Sequence, residues 1–370
     1  MTVHHILPEG EPFSEHFGGA VSRWTANVLA NDSSAVILAP WFDQTWNFDS
    51  ERIRSSANLR RYRQLLSLCR NRAPSNLRRV LVSFFLRTTF SEAAPEDIVY
   101  VHNRPEFAAA IQAAYPRRRF KLILHMHNSH ILHHPKAFAR CADLTVFCSS
   151  FLLQEARQFV GEIRSAVVPN GADGSCFFPA NPGGLPGPPT VLFVGRLIPI
   201  KGAHVLVEAM RILQQRGSAA RALLVGSPVF GSDNDTPYLR GIKASAPDNV
   251  TFSPYKTGDK LAGEFRRATV FCCPSVFDEP FGMTNVEAMA SGLPTVATQV
   301  GGIPEVFREG GALLVPPGDP AKLADALDYV LGDRDLRSRL VREGQQSFRK
   351  NFTWNVVREK YRGALESVAA

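Results

Sequence analysis

Two glutamates stand eight residues apart in the stretch DEPFGMTNVEAM, residues 278–289. Glu279 lies before a turn, and Glu287 lies after it in a segment of helical character. A carboxylate pair of this kind suits acid–base chemistry, or the gripping of sugar and ribose hydroxyls through accepted hydrogen bonds. Gly282 ahead of a helix from about Met283 to Ala290 places the amides of Gly282 to Asn285 at a helix N-terminus, where phosphate is favoured. The plain structural alternative makes Glu287 a helix-dipole partner and Glu279 a solvated loop residue.

Two further stretches carry chemistry. In VLFVGRLIPIKG, residues 191–202, an apolar strand ends in Gly195, followed by Arg196 and, at the next helix, Lys201. A glycine lets a ligand approach the backbone, and two fixed cations past a strand end suit a diphosphate. In LILHMHNSH, residues 122–130, His125, His127 and His130 crowd a strand end. Three imidazoles raise the question of a metal. His125 and His127 alternate along a strand, however, and no acidic ligand follows at a zinc-motif spacing, so no metal is expected there. The D-x-D match at Asp233 to Asp235 falls in a polar loop and reads as a turn.

Elements of one type position all of these residues. Short apolar runs at Val3–Leu7, Ala35–Leu38, Ile98–His102, Lys121–His125, Leu144–Cys148 and Ala166–Val168 read as buried parallel strands, with helices at Ala20–Leu29, Glu106–Ala114 and Phe151–Phe159 between them. PANPGGLPGPP, residues 179–189, has five prolines and three glycines and reads as a linker. The same alternation then restarts, with strands at Thr190–Val194, Ala222–Val225, Asn249–Phe252, Thr269–Cys273, Thr295–Ala297 and Leu313–Val315. Helices are expected at His204–Gln215, Lys260–Arg267, Pro320–Leu331 and Leu336–Phe348, and a last one near Thr353–Ser367. The expectation is an α/β protein of two Rossmann-like doubly wound domains, 1–178 and 190–351, with residues 352–370 free to pack back on the first. Two such domains make one cleft, a preferred ligand site.

Length and composition agree: 370 residues suit two domains, and 45% hydrophobic residues suffice for two cores. Six cysteines without a CxxC pair read as reduced core residues. There is no long apolar run and no signal-peptide pattern, so a cytoplasmic location is expected. The net charge of +8 concentrates in residues 51–90, which hold ten arginines among leucines and phenylalanines. That pattern suits an anionic membrane surface or a phosphate-rich ligand, and no RNA-binding motif accompanies it.

EPFGMTNVE resembles the E-x7-E motif of retaining glycosyltransferases of the GT-B fold, family 4. VGRLIPIKG, VVPNGAD (167–173) and EAMASGLPTVATQVGGIPEV extend the resemblance over about residues 165–310, and it thins before that. The resemblance implies that Glu287 binds the ribose hydroxyls and that Glu279 holds the transferring sugar near its 3- and 4-hydroxyls. Phe281, Gly282, Met283 and Thr284 would offer backbone amides to sugar and phosphate, with Gly195 close by. Arg196 and Lys201 would neutralise the leaving diphosphate in place of a divalent metal. Gly18 and Gly19, in FGGAVSRW, resemble the family's glycine pair beside the donor phosphates. His127 would contact the transferring sugar, with His125 the second choice and otherwise a packed core residue.

The resemblance therefore implies a metal-independent hexosyltransferase with no cofactor. It would move a hexose from a UDP- or GDP-sugar to a glycan or lipid-linked hydroxyl in bacterial surface-polysaccharide, lipopolysaccharide or glycolipid synthesis, peripheral on the inner membrane face and without nucleic acid. The alternatives are a non-catalytic sugar-nucleotide binder and a transferase acting on a soluble small molecule or a protein.

Overall fold

The computed structural model describes residues 1–14, 19–43, 46, 48–55, 94–129, 141–180, 187–229 and 235–369. Gly18, His130 and nearly all of the arginine-rich stretch lie outside these residues. The chain forms two compact units, Met1–Asn170 with Val357–Ala370, and Gly171–Val356.

The first unit holds a parallel sheet of seven strands: β1 (Val3–Ile6), β2 (Ala35–Ala39), β3 (Ile53–Ser55), β4 (Ile98–His102), β5 (Lys121–Met126), β6 (Leu144–Phe147) and β7 (Ser165–Val167). Their order is β3-β2-β1-β4-β5-β6-β7, so the winding reverses between β1 and β4. Strands β4 and β6 are buried along their whole length, as strands covered on both faces must be. Helices α1 (Ala20–Leu29), α2 (Pro105–Ala114) and α3 (Ser150–Val160) connect them. Ser149 starts α3 by accepting a hydrogen bond from the Leu152 amide at 3.1 Å.

The second unit repeats the plan with six strands: β8 (Thr190–Val194), β9 (Arg221–Val225), β10 (Val250–Ser253), β11 (Val270–Cys273), β12 (Thr295–Thr298) and β13 (Ala312–Val315). The order is β10-β9-β8-β11-β12-β13, all parallel, with the reversal between β8 and β11. Helices α4 (Ala203–Gln215), α5 (Pro237–Ser245), α6 (Gly258–Arg267), α7 (Met283–Ala290), α8 (Ile303–Val306), α9 (Pro320–Gly332) and α10 (Arg334–Asn351) surround the sheet. The core interlocks Phe193, Leu206, Met210, Leu224, Val296, Leu323 and Leu327. Asp319 and Asp333 cap α9 and α10 by accepting from the amides of Lys322 and Leu336.

The units part at Asn170, ahead of the expected linker at 179–189. Residues 171–180 stay with the second unit because their backbone is paired there. Ala172 N–H donates to Phe352 O at 3.0 Å, Arg266 donates to Cys176 O at 3.0 Å, and Phe177 packs edge-on against Phe265. The last helix, α11 (Trp354–Ala369), begins in the second unit and continues in the first, where Val357, Tyr361, Ala364 and Val368 are buried. Among the described residues no helix is long and apolar enough to cross a membrane.

Three elements escape the sequence pattern: β3, α5 and α8. Each is short, or buries too few apolar side chains to show a period.

Candidate active site

In the second unit the chemistry gathers at the carboxyl ends of β8 and β11, where the strand order reverses and open α/β sheets bind ligands. Strand β8 runs out through Gly195 and Arg196 into a tight turn, Pro199–Lys201. Strand β11 runs out through Pro274 into the loop that carries Glu279. The turn and the loop are stitched together: Val276 N–H donates to Ile200 O at 2.9 Å. Gly202, at φ +72°, passes so close that a Cβ there would stand 1.8 Å from Pro274 O.

This stitching brings Lys201 onto Glu279. The ammonium lies 2.6 and 2.7 Å from the two carboxylate oxygens, and Ser275 Oγ donates to the second at 3.1 Å. Lys201 also stands 4.9 Å from the centre of the Phe277 ring. Thr298 Oγ1 holds the loop from below, donating to Ser275 O at 2.6 Å. The backbone of Glu279 is pinned in turn, its carbonyl accepting from Gly302 N–H at 2.7 Å. Gly301, at φ +55°, leaves no room for a side chain: a Cβ would sit 2.4 Å from Glu279 O. Burial pushes the Cys273 thiol up to about 11, with Glu279 adding to the rise and Lys201 opposing it, so this neighbour stays a neutral thiol.

The other residues expected here fall around this pair. Gly282 is the N-cap of α7, with Met283 and Thr284 in its first turn and Glu287 one turn on, buried at 3% exposure. Phe281 is buried against Phe352 with ring centres 5.8 Å apart. Arg196 is exposed and its guanidinium joins no ion pair among the described residues. Ser275, Thr298 and Gly301 are additions that sequence reasoning missed. Their roles depend on which loops the sheet brings together, although Gly301 stands within the QVGGIPEV segment.

In the first unit His127 is the first residue beyond β5 and is buried. It belongs to a layer of rings on one face of the sheet. His5 pairs in register with Tyr100, and His102 with His125. Trp24 of α1 and Tyr361 of α11 cover them. His5 Nε2 meets the Tyr361 hydroxyl at 2.9 Å, His5 Nδ1 meets His102 Nε2 at 3.0 Å, and His102 Nδ1 meets His127 Nε2 at 3.2 Å. Tyr100 OH meets His125 Nδ1 at 3.0 Å. Burial lowers His5 and His127 to about 3, and holds His102 and His125 well below the usual imidazole range, so all four are neutral at pH 7. Asn170, also buried and outside the expected set, faces His127 and opposes its shift.

His102, His125 and His127 do bring ring nitrogens within 4.8 Å of one another. The His125 and His127 rings lie 3.9 Å apart and tilted by 34° to one another. Gly19 is the N-cap of α1, as expected. The Glu11 carboxylate sits at this N-terminus, accepting from Ser22 N–H at 2.9 Å, and burial raises its pKa.

Residues 180–347 match the family model for glycosyl transferases group 1. The match lies within the unit that holds Glu279 and Lys201. Among curated proteins, the chain is 26% identical over 302 residues to the putative glycosyltransferase YtcC of Bacillus subtilis strain 168, covering 75% of this chain and 74% of that one. It is 38% identical over 237 residues to D-inositol 3-phosphate glycosyltransferase of Nocardia farcinica, covering 59% of this chain and only 51% of the relative. Sucrose-phosphate synthase of Thermosynechococcus elongatus superposes with a TM-score of 0.77 at 21% identity, over 100% of this chain and 99% of the other. HepE of Anabaena, solved with UDP and glucose, gives 0.77 at 20% identity, over 99% and 100%. The fold is therefore that of the GT-B glycosyltransferases, as the resemblance in the sequence implies.

Proposed function

We propose that this chain is a retaining glycosyltransferase that moves a hexose from a nucleoside diphosphate sugar to a hydroxyl of a glycan or lipid-linked acceptor. One observation carries the reading: Glu279, held by Lys201 and Ser275, stands where the strand order reverses and one turn before the N-terminus of α7. A carboxylate able to grip hydroxyls, a fixed cation and a phosphate-favouring helix end, meeting across two adjoining loops, support this reading.

In this reading Glu287 takes the ribose, Glu279 the sugar and the Gly282–Thr284 backbone the phosphates, while His127 meets the sugar. The acceptor oxygen forms its bond to the anomeric carbon on the face from which the diphosphate oxygen departs. The bonding pair leaves with the diphosphate, which takes the acceptor's proton. Lys201 and Arg196 stabilise the charge that builds on it, so the chemistry is positioning and electrostatics without a divalent metal. The chain would work in the cytoplasm, docked on the inner membrane face in bacterial surface-polysaccharide, lipopolysaccharide or glycolipid synthesis.

A thermal-shift panel of UDP-, GDP-, ADP- and dTDP-sugars tests this, with UDP-glucose first because HepE of Anabaena binds UDP and glucose. A donor that binds the native state raises Tm by mass action, and the same donor should slowly release its diphosphate. A panel in which no sugar nucleotide raises Tm refutes the reading.

A further inference from the structure

The ring layer of the first unit has a direction, and Tyr361 sets it. The Tyr361 hydroxyl has one hydrogen-bond partner among the described residues, His5 Nε2 at 2.9 Å. Burial raises the tyrosine's pKa far enough to keep it protonated, and a buried hydroxyl that donates to nothing is unfavourable. The proton therefore points at His5 Nε2, which must be a lone pair. A neutral imidazole carries one N–H, so that of His5 lies on Nδ1, 3.0 Å from His102 Nε2. His102 in turn carries its proton on Nδ1, 3.2 Å from His127 Nε2. The last proton is left on His127 Nδ1, a buried atom for which the described residues offer only the Asn170 side chain, whose Oδ1 is itself left without a partner at hydrogen-bond distance.

We propose that Tyr361 fixes the tautomer of His127 through His5 and His102, so that His127 presents an N–H donor at Nδ1. Resting on the functional reading above, that donor is offered to a hydroxyl oxygen of the transferring sugar, and Tyr361, His5 and His102 are positioning residues. His125 provides an internal contrast. Tyr100 has His125 Nδ1 as its partner, so by the same reasoning Tyr100 donates there and His125 carries its proton on Nε2.

Long-range 1H–15N correlation spectra of histidine-labelled protein at pH 7.5 read each tautomer directly, with assignment by single His→Gln variants. The expected pattern is Nδ1–H on His5, His102 and His127, and Nε2–H on His125. Tyr361→Phe keeps the ring and removes the donor. The Nδ1–H population of His127 should fall. Affinity for the sugar nucleotide should drop roughly three- to tenfold while affinity for the matching nucleoside diphosphate stays unchanged. Nε2–H on His127 in the unaltered protein overturns the proposal, as does an unchanged spectrum in Tyr361→Phe. Should that variant fail to fold, the spectrum of the unaltered protein decides alone. Should no sugar nucleotide bind, the functional reading falls and the tautomer pattern still tests the relay.

Discussion

Glu279→Gln should bind a free nucleoside diphosphate more tightly than the unaltered protein does, while losing turnover. The reason is the state of Lys201 before any ligand arrives. Its ammonium lies 2.6 Å from one oxygen of Glu279 and 2.7 Å from the other. At 2.6 Å and an effective dielectric of about 20, that attraction is roughly 6 kcal/mol. Both side chains are largely withdrawn from water, at 19% and 12% exposure, and desolvation takes back several kcal/mol. A net commitment on the order of 1–3 kcal/mol remains, and a diphosphate must draw Lys201 partly out of it. Glutamine keeps the shape and a carbonyl for Ser275 but removes the competing charge. Recovering about 1 kcal/mol corresponds to about fivefold tighter binding. Isothermal titration with whichever of UDP, GDP, ADP or dTDP the panel selects measures this, and release of diphosphate from the sugar nucleotide measures turnover, expected to fall on the order of a hundredfold. Unchanged or weaker diphosphate binding would show that Lys201 does not serve the diphosphate.

Gly301→Ala forces a Cβ against the Glu279 backbone at φ +55°, and should destabilise the second unit by about 2–3 kcal/mol, seen as a lower Tm with diphosphate binding impaired. Acid should unfold the first unit early. His5 and His127 have folded pKa values of about 3 against 6.5 unfolded, so the unfolded chain binds more protons between those values. Their contribution is complete above pH 6.5 and is lost as pH falls towards 3, at roughly 1.4 kcal/mol per pH unit for each. Scanning calorimetry at pH 7.5 and 5.0 should show the transition of the first unit moving down, and an unmoved transition refutes the neutral-histidine layer. The arginine-rich stretch 51–90 should carry the protein onto anionic phospholipid vesicles at low salt and release it at high salt; no co-sedimentation at low salt ends the membrane reading.

The doubly wound plan was legible because parallel strands buried on both faces are short apolar runs, and residues 98–101 and 191–193 are buried runs of this kind. Helix α5 was not, since only Leu239 and Ile242 are buried on it and two residues make no period. At the site, the residue types of Glu279 and Lys201 could be read from motif spacing. Their direct pairing could not, because it depends on β8 and β11 lying side by side across 78 residues of sequence. The histidines at positions 125 and 127 drew notice as a cluster. His5 and Tyr361 did not, since their hydrogen bond joins residues 356 apart through a helix whose attachment the sequence left open.

The course of α11 sets an order on the making of the protein. Residues 171–356 are continuous in the chain and hold a complete sheet, so this unit can close as soon as it clears the ribosome. The first unit is synthesised first and finished last. Until Val357–Ala369 emerge, its sheet lacks Val357, Tyr361, Ala364 and Val368, and His5 lacks the hydroxyl that orients it. The early-made half must wait, with polar rings uncovered, for residues 357–369. A released chain truncated before residue 357 should therefore show protease resistance in its second unit alone.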